Sequence, residues 1–433
     1  MKFIPPANST QTTLLAYSSV RDYVDVLKSI SLHAGYDTPE TCLNLVTDGA
    51  LVGEILRAKD ELVSSRLKYV IVIGIGGSAL GTKAVYDALR PSSGFATGSV
   101  TPEILFLTTS HPGKLEEVRR TLAALQPDEF ILCLISKSGT TLETISNFEA
   151  LARYPSVRSA LAARLVVISD DNSQLFRESR AKKYRTFAIP RPVGGRYSVF
   201  SAVGLVPLAF AGFNIEALTA GARGVFHSFC LTEGVENNMS LVSAAVAHDQ
   251  YKKGARVFDL FVFSPELESL GKWNRQLIAE SLGKQIVKGE TRSPIGMTPT
   301  VSVATDDLHS VAQLYLANPC DRYETFLSVA HSVRDANRSE SAETVFLADK
   351  SLGRTAFEDI TPAIKSAVIS AFVQNGNAVS EIIFERVDEV ELGAFMQFRM
   401  IETMILGKLL GVNAFDQPNI ETYKKETRKI LGL

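Results

Sequence analysis

Residues 69–80, YVIVIGIGGSAL, pass from a continuous apolar run into a glycine-rich turn and then into a stretch of helical length. A short strand without polar alternation is typical of a parallel sheet that is covered on both faces. Similar apolar runs follow at 104–107, 130–135, 165–168 and 186–189, and stretches of helical length, such as 80–89, 114–125 and 142–151, lie among them. The pattern predicts a doubly wound α/β domain in this part of the chain.

The second half of the chain repeats the alternation of short strands and helices. Its candidate strands are 257–263, 301–303, 325–329 and 378–384. Its candidate helices are 266–281, 308–316, 360–374 and 392–410, and the polar segment 335–343 predicts a loop. We therefore predict an α/β protein with two doubly wound domains of mainly parallel sheet flanked by helices, plus a C-terminal helix. The predicted parts are an N-terminal helical segment packed on the core at 1–60, α/β domains at 61–210 and 211–412, and the C-terminal helix at 413–433.

Charge and cysteine usage narrow the classes of function. The chain has 433 residues, with 45 Lys and Arg against 47 Asp and Glu, so it lacks the basic excess usual in nucleic-acid-binding proteins. None of its cysteines belongs to a C-x-x-C pair, which predicts reduced thiols rather than disulfides or a zinc knuckle. The most apolar stretch, 202–218, is short for a membrane span and contains a proline, so it predicts a buried helix. The N-terminus lacks the apolar core of a signal peptide, and we expect a cytoplasmic protein without nucleic-acid or membrane partners.

The glycine-rich turn at 74–81 fits a dinucleotide, a monophosphate or a tight turn without a ligand. The spacing G-x-G-x-x-G fails at Ala79, and the next strand ends in Thr-Thr-Ser at 108–110 without an acidic residue for a ribose. Both facts disfavour a dinucleotide, whereas the hydroxyl of Ser78 suits a phosphate. The turn by itself does not decide between a phosphate site and a structural turn.

A second turn, SKSGTT at 136–141, follows the apolar run 130–135. One Ser or Thr suffices to cap a helix, and four hydroxyls here favour phosphate binding over capping. Two such turns on neighbouring strands would face the same crevice. The candidate substrate-binding and phosphate-binding residues are Gly77, Ser78, Ser136, Lys137, Ser138, Thr140, Thr141, Gly195 and Gln417.

The two turns, in this order, resemble the phosphate site of sugar isomerase (SIS) domains. Three further segments narrow the resemblance to the glucose-6-phosphate isomerase family, and the length of the chain resembles that of the shorter, bacterial-type members. They are VGGRYS at 193–198, ESLGK at 280–284 with DLHS at 307–310, and FDQPNIE at 415–421 followed by Lys424. The resemblance implies two SIS-type domains and a reversible conversion of glucose 6-phosphate to fructose 6-phosphate through a cis-enediol, without a cofactor. It departs from the family at Arg191-Pro192, where an acidic residue is common, and at Asn419-Ile420, where Gly-Val is commoner.

Moving a proton between two sugar carbons needs a carboxylate base and a group that offsets negative charge. The resemblance implies that Glu280 is the base and Arg196 the stabilising cation. Glu280 is expected in the last turn of a helix that ends near Gly283, and the glycines before Arg196 would let it approach the substrate. Without the resemblance, Glu280 would be a surface glutamate and Arg196 a salt-bridge arginine.

His309 and Lys424 are the candidates for opening the sugar ring. The resemblance implies that His309 enters the site of the neighbouring subunit, and therefore that the chain forms a homodimer. Spacing from Gln417 favours Lys424 over Lys425. The alternatives are a capping or core histidine and a solvated lysine pair.

No metal site is predicted, because the histidines are scattered and no H-x-H or H-E-x-x-H spacing occurs. Two alternative functions stay open. One is a broader phosphosugar isomerase that also uses mannose 6-phosphate. The other is a SIS-domain sensor that binds a sugar phosphate without catalysis, although a sensor has no chemical reason to keep the four candidate catalytic residues together.

Overall fold

The first sheet contains five parallel strands in the order β3-β2-β4-β5-β6. This and all other features come from a computed structural model, which describes residues 1–90, 102–288, 291–317, 321–330 and 357–433. The strands are β2 (Tyr69–Ile73), β3 (Glu103–Leu107), β4 (Phe130–Ile135), β5 (Leu165–Ser169) and β6 (Arg185–Ala188). All five were predicted from the apolar runs, and their parallel pairing is confirmed.

Both faces of this sheet are covered, as the absence of polar alternation predicts. In β4, Ile131, Cys133 and Ile135 belong to one apolar cluster, whereas the residues between them belong to another. The covering helices include α3 (Leu80–Leu89), α4 (Pro112–Ala123), α5 (Leu142–Ala152), α6 (Pro155–Arg164) and α7 (Gln174–Ala181). The sequence pattern had not predicted α6 and α7.

The second sheet has the order β1-β12-β11-β7-β10 and is parallel except for β1. Its strands are β1 (Lys2–Ile4), β7 (Val257–Val262), β10 (Thr298–Val303), β11 (Arg322–Val329) and β12 (Val379–Phe384). The predicted strands are confirmed, and β1 and the hairpin β8 (Lys284–Lys288) to β9 (Thr291–Ile295) are additions. The helices that follow its strands are α11 (Glu268–Leu282), α12 (Ala312–Ala317), α13 (Phe357–Gln374) and α14 (Glu389–Leu409). The predicted loop at 335–343 lies outside the described residues.

Further helices join the two sheets into one core. They are α1 (Ser9–Ser29), α2 (Gly49–Leu62), α8 (Ala202–Phe210), α9 (Ile215–Leu231) and α10 (Met239–Lys252). Helix α8 is buried along its whole length, which confirms the predicted buried helix for the first half of the apolar stretch at 202–218. The second half departs from the prediction, because the chain turns after Phe210 and Gly212, Asn214 and Glu216 are exposed. Helices α9 and α14 touch backbone to backbone, since a Cβ atom on Gly393 would lie 1.9 Å from the carbonyl oxygen of Leu218. No helix in the described part of the chain combines the length and the apolar character that a membrane crossing requires.

The chain ends in a short 3-10 turn at Pro418–Ile420 and the helix α15 (Glu421–Leu431). All of α15 is exposed. The segment that joins α14 to α15 crosses the carboxyl-terminal end of α11, and this crossing positions the candidate site.

Candidate active site

The two predicted phosphate turns lie side by side. Strands β2 and β4 are paired neighbours, with Ile73 opposite Leu134, and each turn follows the carboxyl end of its strand. The first turn packs against the end of β4, directly before the second turn, because a Cβ atom on Gly74 would lie 3.0 Å from the carbonyl oxygen of Ile135. The point where the strand order reverses, between β2 and β4, is the place where open α/β sheets bind their ligands.

The hydroxyls of the second turn bond to one another rather than cap the helix. Ser136 Oγ lies 2.9 Å from Thr141 Oγ1, and the backbone N–H of Thr140 donates to Ser138 Oγ at 3.2 Å. Thr141 stands directly before α5, and its side chain makes no capping hydrogen bond. Ser169 Oγ on β5 donates to the carbonyl oxygen of Ser136 at 2.6 Å, which ties the start of the turn to the neighbouring strand. The turn therefore offers hydroxyl and amide donors at a helix start, which suits a phosphate.

Lys137 is the cation of this turn. Burial lowers the pKa of Lys137; Asp170 opposes this shift and Arg191 adds to it. Arg191, which stands where the family more often has an acidic residue, therefore adds a second positive group close to Lys137. The surroundings of Lys137 favour an anionic ligand as its partner.

The first glycine turn positions the predicted charge stabiliser. A Cβ atom on Gly77 would lie 2.2 Å from the carbonyl carbon of Gly195 and 2.7 Å from the backbone nitrogen of Arg196. Only glycine allows this approach of the two turns. The close packing brings Arg196 beside the turn that follows β2, which explains the glycine at 77 without requiring it to touch a ligand.

Arg196 is almost wholly buried and all three of its nitrogens are engaged. Nε donates to Ser281 Oγ at 2.6 Å, and Nη2 donates to the carbonyl oxygen of Ala414 at 2.6 Å. Nη1 lies 3.4 Å from Glu280 Oε2. A buried guanidinium held in this way keeps a fixed direction, and its charge is balanced at the site by one carboxylate.

Glu280 lies in the last turn of α11, where the sequence had predicted it. Its Oε1 accepts from Gln276 Nε2 at 2.9 Å, and its Oε2 accepts from Gln417 Nε2 at 2.8 Å. The side chain is 32% exposed, so a ligand can reach it. The structure thus brings Arg196, Glu280 and Gln417 together.

Lys284 is a member of this site that the sequence analysis did not single out. Its ammonium group donates to the carbonyl oxygens of Glu280 at 2.8 Å and Asp416 at 2.6 Å, and it lies 3.0 Å from Asp416 Oδ1. Burial lowers the pKa of Lys284, and the bond to Asp416 opposes this shift. Its position just after Gly283, which ends α11, was the available signal.

Lys424 and His309 are not part of this cluster within one chain. The Lys424 ammonium pairs with Glu421 of the same helix at 3.0 Å. Helix α15 nevertheless contacts the turn at 136–141, because Arg428 Nη2 donates to the carbonyl oxygen of Thr140 at 3.3 Å. His309 is exposed at the carboxyl end of β10, the edge strand of the second sheet. Its backbone N–H donates to the carbonyl oxygen of Asp306 at 3.0 Å.

The side chains of Lys424 and His309 make no hydrogen bond to Glu280, Arg196 or Gln417 among the residues that the structure describes. The same described ranges contain no group of three or more His, Cys, Asp or Glu side chains that could hold a metal ion.

Comparison with known proteins gives matches that cover most of the chain. Residues 58–432 match the phosphoglucose isomerase family. A glucose-6-phosphate isomerase of Methanocaldococcus jannaschii is 32% identical over 356 residues, which are 82% of this chain and 82% of the relative. A glucose-6-phosphate isomerase of Campylobacter jejuni is 31% identical over 403 residues, 92% of this chain and 91% of the relative. The crystal structure of a hypothetical protein from Thermus thermophilus superposes with a TM-score of 0.83 at 28% identity, covering 99% of this chain and 100% of that chain.

Proposed function

The chain belongs to the phosphoglucose isomerase family, and from that premise we propose that it interconverts glucose 6-phosphate and fructose 6-phosphate by moving one proton between C1 and C2. The observation that carries the proposal is the partly exposed carboxylate of Glu280, which both the buried Arg196 guanidinium and the Gln417 amide contact. A base, a fixed cation and a hydroxyl-binding amide are the groups that an aldose–ketose isomerisation requires.

The phosphorylated end of the substrate binds in the turn at 136–141. The hydroxyls of Ser136 and Thr141, the amides at the start of α5 and the ammonium of Lys137 are its donors. Anchoring the phosphate there fixes the far end of the sugar, so that C1 and C2 extend toward Glu280. Binding energy from this remote group then serves to orient the reacting carbons.

Proton transfer proceeds through a cis-enediol. Glu280 removes the proton from C2 of the open-chain aldose while the C1 carbonyl oxygen takes up a proton, and a double bond forms between C1 and C2. The carboxylic acid of Glu280 then returns its proton to C1 as the C2 hydroxyl loses one to become the ketone. Arg196 offsets the negative charge on the enediolate oxygens, and Gln276 and Gln417 hold the carboxylate in one orientation.

Opening of the cyclic sugar is assigned to His309 and Lys424. His309 is exposed at the end of an edge strand, which supports a role in the site of a second copy of the chain and hence a homodimer. Lys424 would leave Glu421 and turn toward the sugar when substrate binds beside α15. The reaction uses no metal or cofactor, and as a step of sugar-phosphate metabolism it belongs in the cytoplasm.

Turnover on glucose, mannose and fructose 6-phosphates, measured side by side, tests this function. In deuterated water, solvent deuterium should appear at C2 of glucose 6-phosphate and at C1 of fructose 6-phosphate, and EDTA should leave the rate unchanged. Binding of fructose 6-phosphate without turnover would identify a sensor instead. Turnover of mannose 6-phosphate at a comparable rate would identify the broader isomerase.

A further inference from the structure

A second charged cleft, with a volume of about 860 Å³, lies at the other end of the first sheet. It runs between α2, the end of α7 and the edge strand β6, and it includes Arg164 and Leu165, where α6 ends and β5 begins. The candidate active site follows the carboxyl ends of β2 and β4, whereas this cleft begins at the amino ends of β5 and β6. The volume is in the range typical of small-molecule sites.

The charged lining of the cleft is predominantly basic. It contains Arg164, Arg180, Lys183 and Arg185 together with Glu54 and Glu61. Four cations against two carboxylates leave two positive charges, which match the charge of one phosphate monoester at neutral pH. The lining therefore favours a dianion.

Two of these four cations form a hydrogen bond or an ion pair, and the other two form neither within the described ranges. Arg185 pairs with Glu61, and Arg164 Nη1 donates to the carbonyl oxygen of Leu62 at 2.7 Å. Across the residues that the structure describes, the side chains of Arg180 and Lys183 make no hydrogen bond or ion pair. Arg180 lies in the last turn of α7 and Lys183 in the turn that joins α7 to β6, and both line the cleft as donors without a partner among the described residues.

The backbone of Lys183 is a second, independent feature of this turn. Its φ is +59°, in the left-handed region that is normally left to glycine or asparagine. The helix ends there through hydrogen bonds from the N–H groups of Lys183 and Tyr184 to the carbonyl oxygens of Arg180 and Ser179, at 2.9 and 3.0 Å. Glycine would relieve the conformation but would remove the ammonium group from the cleft.

We propose that this cleft binds a phosphorylated polyol, with the phosphate held between Arg180 and Lys183 and hydroxyl groups donating to Glu54 and Glu61. Carboxylates at the wall of a basic cleft repel a bare polyanion, but they accept hydrogen bonds from a hydroxylated carbon chain. Guanidinium and ammonium groups without partners provide the charge-assisted bonds that a phosphate needs. The site is separate from the turn at 136–141, so one chain binds two such molecules.

Equilibrium dialysis with glycerol 3-phosphate at fixed ionic strength counts these sites. The wild-type chain should bind two molecules, and Arg180→Ala/Lys183→Ala should weaken the cleft site at least tenfold while turnover of glucose 6-phosphate stays at the wild-type rate. Arg180, Lys183, Lys182 and Arg158 are all exposed, but only the first two line the cleft. Lys182→Ala/Arg158→Ala therefore removes the same two charges outside the cleft and should keep both sites.

Ser136→Ala/Thr141→Ala separates this inference from the proposed active site, because it should weaken the other site and spare the cleft. A single site per chain that Arg180→Ala/Lys183→Ala leaves unchanged overturns the inference. Methyl phosphate, which lacks the hydroxyls, should bind to the cleft at least threefold more weakly than glycerol 3-phosphate. Equal affinity for the two compounds overturns the assignment to a polyol.

Discussion

The ammonium group of Lys284 bonds both the backbone carbonyl oxygen and the carboxylate of Asp416, at 2.6 and 3.0 Å. Arg196 holds the same segment from the other side through the carbonyl oxygen of Ala414. Gln417 follows Asp416 in the chain, and its side-chain amide donates to Glu280 Oε2 at 2.8 Å. Two buried cations, separated by almost ninety residues of sequence, therefore fix one loop and through it the side chain that orients the proposed base.

Lys284→Met should lower kcat by about 10- to 100-fold and change KM by less than about threefold, since it removes charge-assisted bonds worth about 1.5–3 kcal/mol each that position Gln417 but do not bind the phosphate. Steady-state kinetics on fructose 6-phosphate measure both constants. Asp416→Asn keeps the backbone carbonyl oxygen and should lose less. Lys272→Met, on the exposed side of α11, is the matched control. A kcat of Lys284→Met close to that of the wild type would show that the loop holds Gln417 without this lysine.

Glu280→Gln should lower turnover by about 10²- to 10⁴-fold, because an amide of the same shape cannot accept the proton. Solvent deuterium should no longer enter C1 or C2. The Kd for fructose 6-phosphate, from calorimetry, should stay within about threefold of the wild-type value, because the phosphate is held elsewhere. Glu268→Gln, at the start of the same helix, should behave as wild type. Exchange that persists in Glu280→Gln would mean that another group is the base.

The first sheet could be predicted because its information is local. An unalternated run such as 130–135 indicates a strand buried on both faces whatever lies around it, and the structure buries all of it. Strand β1 could not be predicted in this way. It has three residues, and its partner β12 lies at the other end of the chain, so only the assembled sheet gives it a neighbour. Helices α6 and α7 were missed because both are short and because α6 begins with a Pro and α7 follows a Ser, residues that indicate a turn equally well.

The candidate site likewise has a part that local sequence predicts and a part that depends on contacts between distant residues. The two turns at 74–81 and 136–141 could be located because parallel strands bring their carboxyl ends to one edge. The contacts among Arg196, Lys284 and Asp416 are tertiary, and no spacing or composition encodes which carbonyl oxygen a buried cation will bond. The resemblance supplied Glu280 and Arg196 as candidates, whereas the position of Lys284 after Gly283 was too weak a signal to assign it a role without its three bonds.

Ser136→Ala/Thr141→Ala should raise KM for glucose 6-phosphate by about 10- to 100-fold, because two hydroxyls that can hydrogen-bond to a charged phosphate are lost. The kcat at saturation should fall less than kcat/KM, since the reacting carbons are not in contact with these hydroxyls. Thr121→Ala/Ser159→Ala removes two exposed hydroxyls that bond only to their own helices and serves as the control. An unchanged KM would place the phosphate at another turn.

Glu324 and Asp259 face each other on β11 and β7 and are fully buried. Burial raises the pKa of Glu324 well above its usual range; the carboxyl of Asp259 adds to this shift and Arg322 opposes it. Tyr315 of α12 and Asp321 are the other titratable groups that act on the pair. The folded chain thus retains a proton that the unfolded chain releases above about pH 4.3.

The sign of the effect on stability follows from this proton. The contribution of Glu324 is fully present below about pH 4 and is lost as pH rises toward its folded pKa, by up to about 1.4 kcal/mol per pH unit. Glu324→Gln cannot release the proton, so its free energy of unfolding should depend less on pH and should exceed that of the wild type increasingly as pH rises. Urea denaturation between pH 5 and pH 8 measures the difference. Glu149→Gln, an exposed control, should follow the wild-type curve. Parallel curves for Glu324→Gln and the wild type would show that Glu324 is ionised in the fold.

His309 lies in a turn that follows the edge strand β10 and that side-chain hydrogen bonds stabilise. The carboxylate of Asp307 accepts from the N–H of Val303 and from Ser310 Oγ, both at 2.7 Å, and this fixes the chain on either side of His309. A rigid turn that leaves its imidazole exposed is suited to insertion into a second copy of the chain. If it enters the partner's site, each active site contains Glu280 from one chain and His309 from the other.

Mixing two inactive variants tests this arrangement. His309→Ala and Glu280→Gln should each lose most activity, but a dimer of one with the other has one site with both residues intact and one site with neither. Random reassociation of equal amounts should therefore restore about a quarter of wild-type activity, because half of the dimers are mixed and each has one working site. Glu280→Gln mixed with Ser136→Ala/Thr141→Ala, assayed at substrate concentrations well below KM, is the matched control. Both changes damage the site of their own chain, so no mixed site is repaired and mixing should add no activity to that of the separate variants. Sedimentation verifies that mixed dimers form, and mixed dimers without recovered activity would mean that His309 serves its own chain or has no part in the reaction.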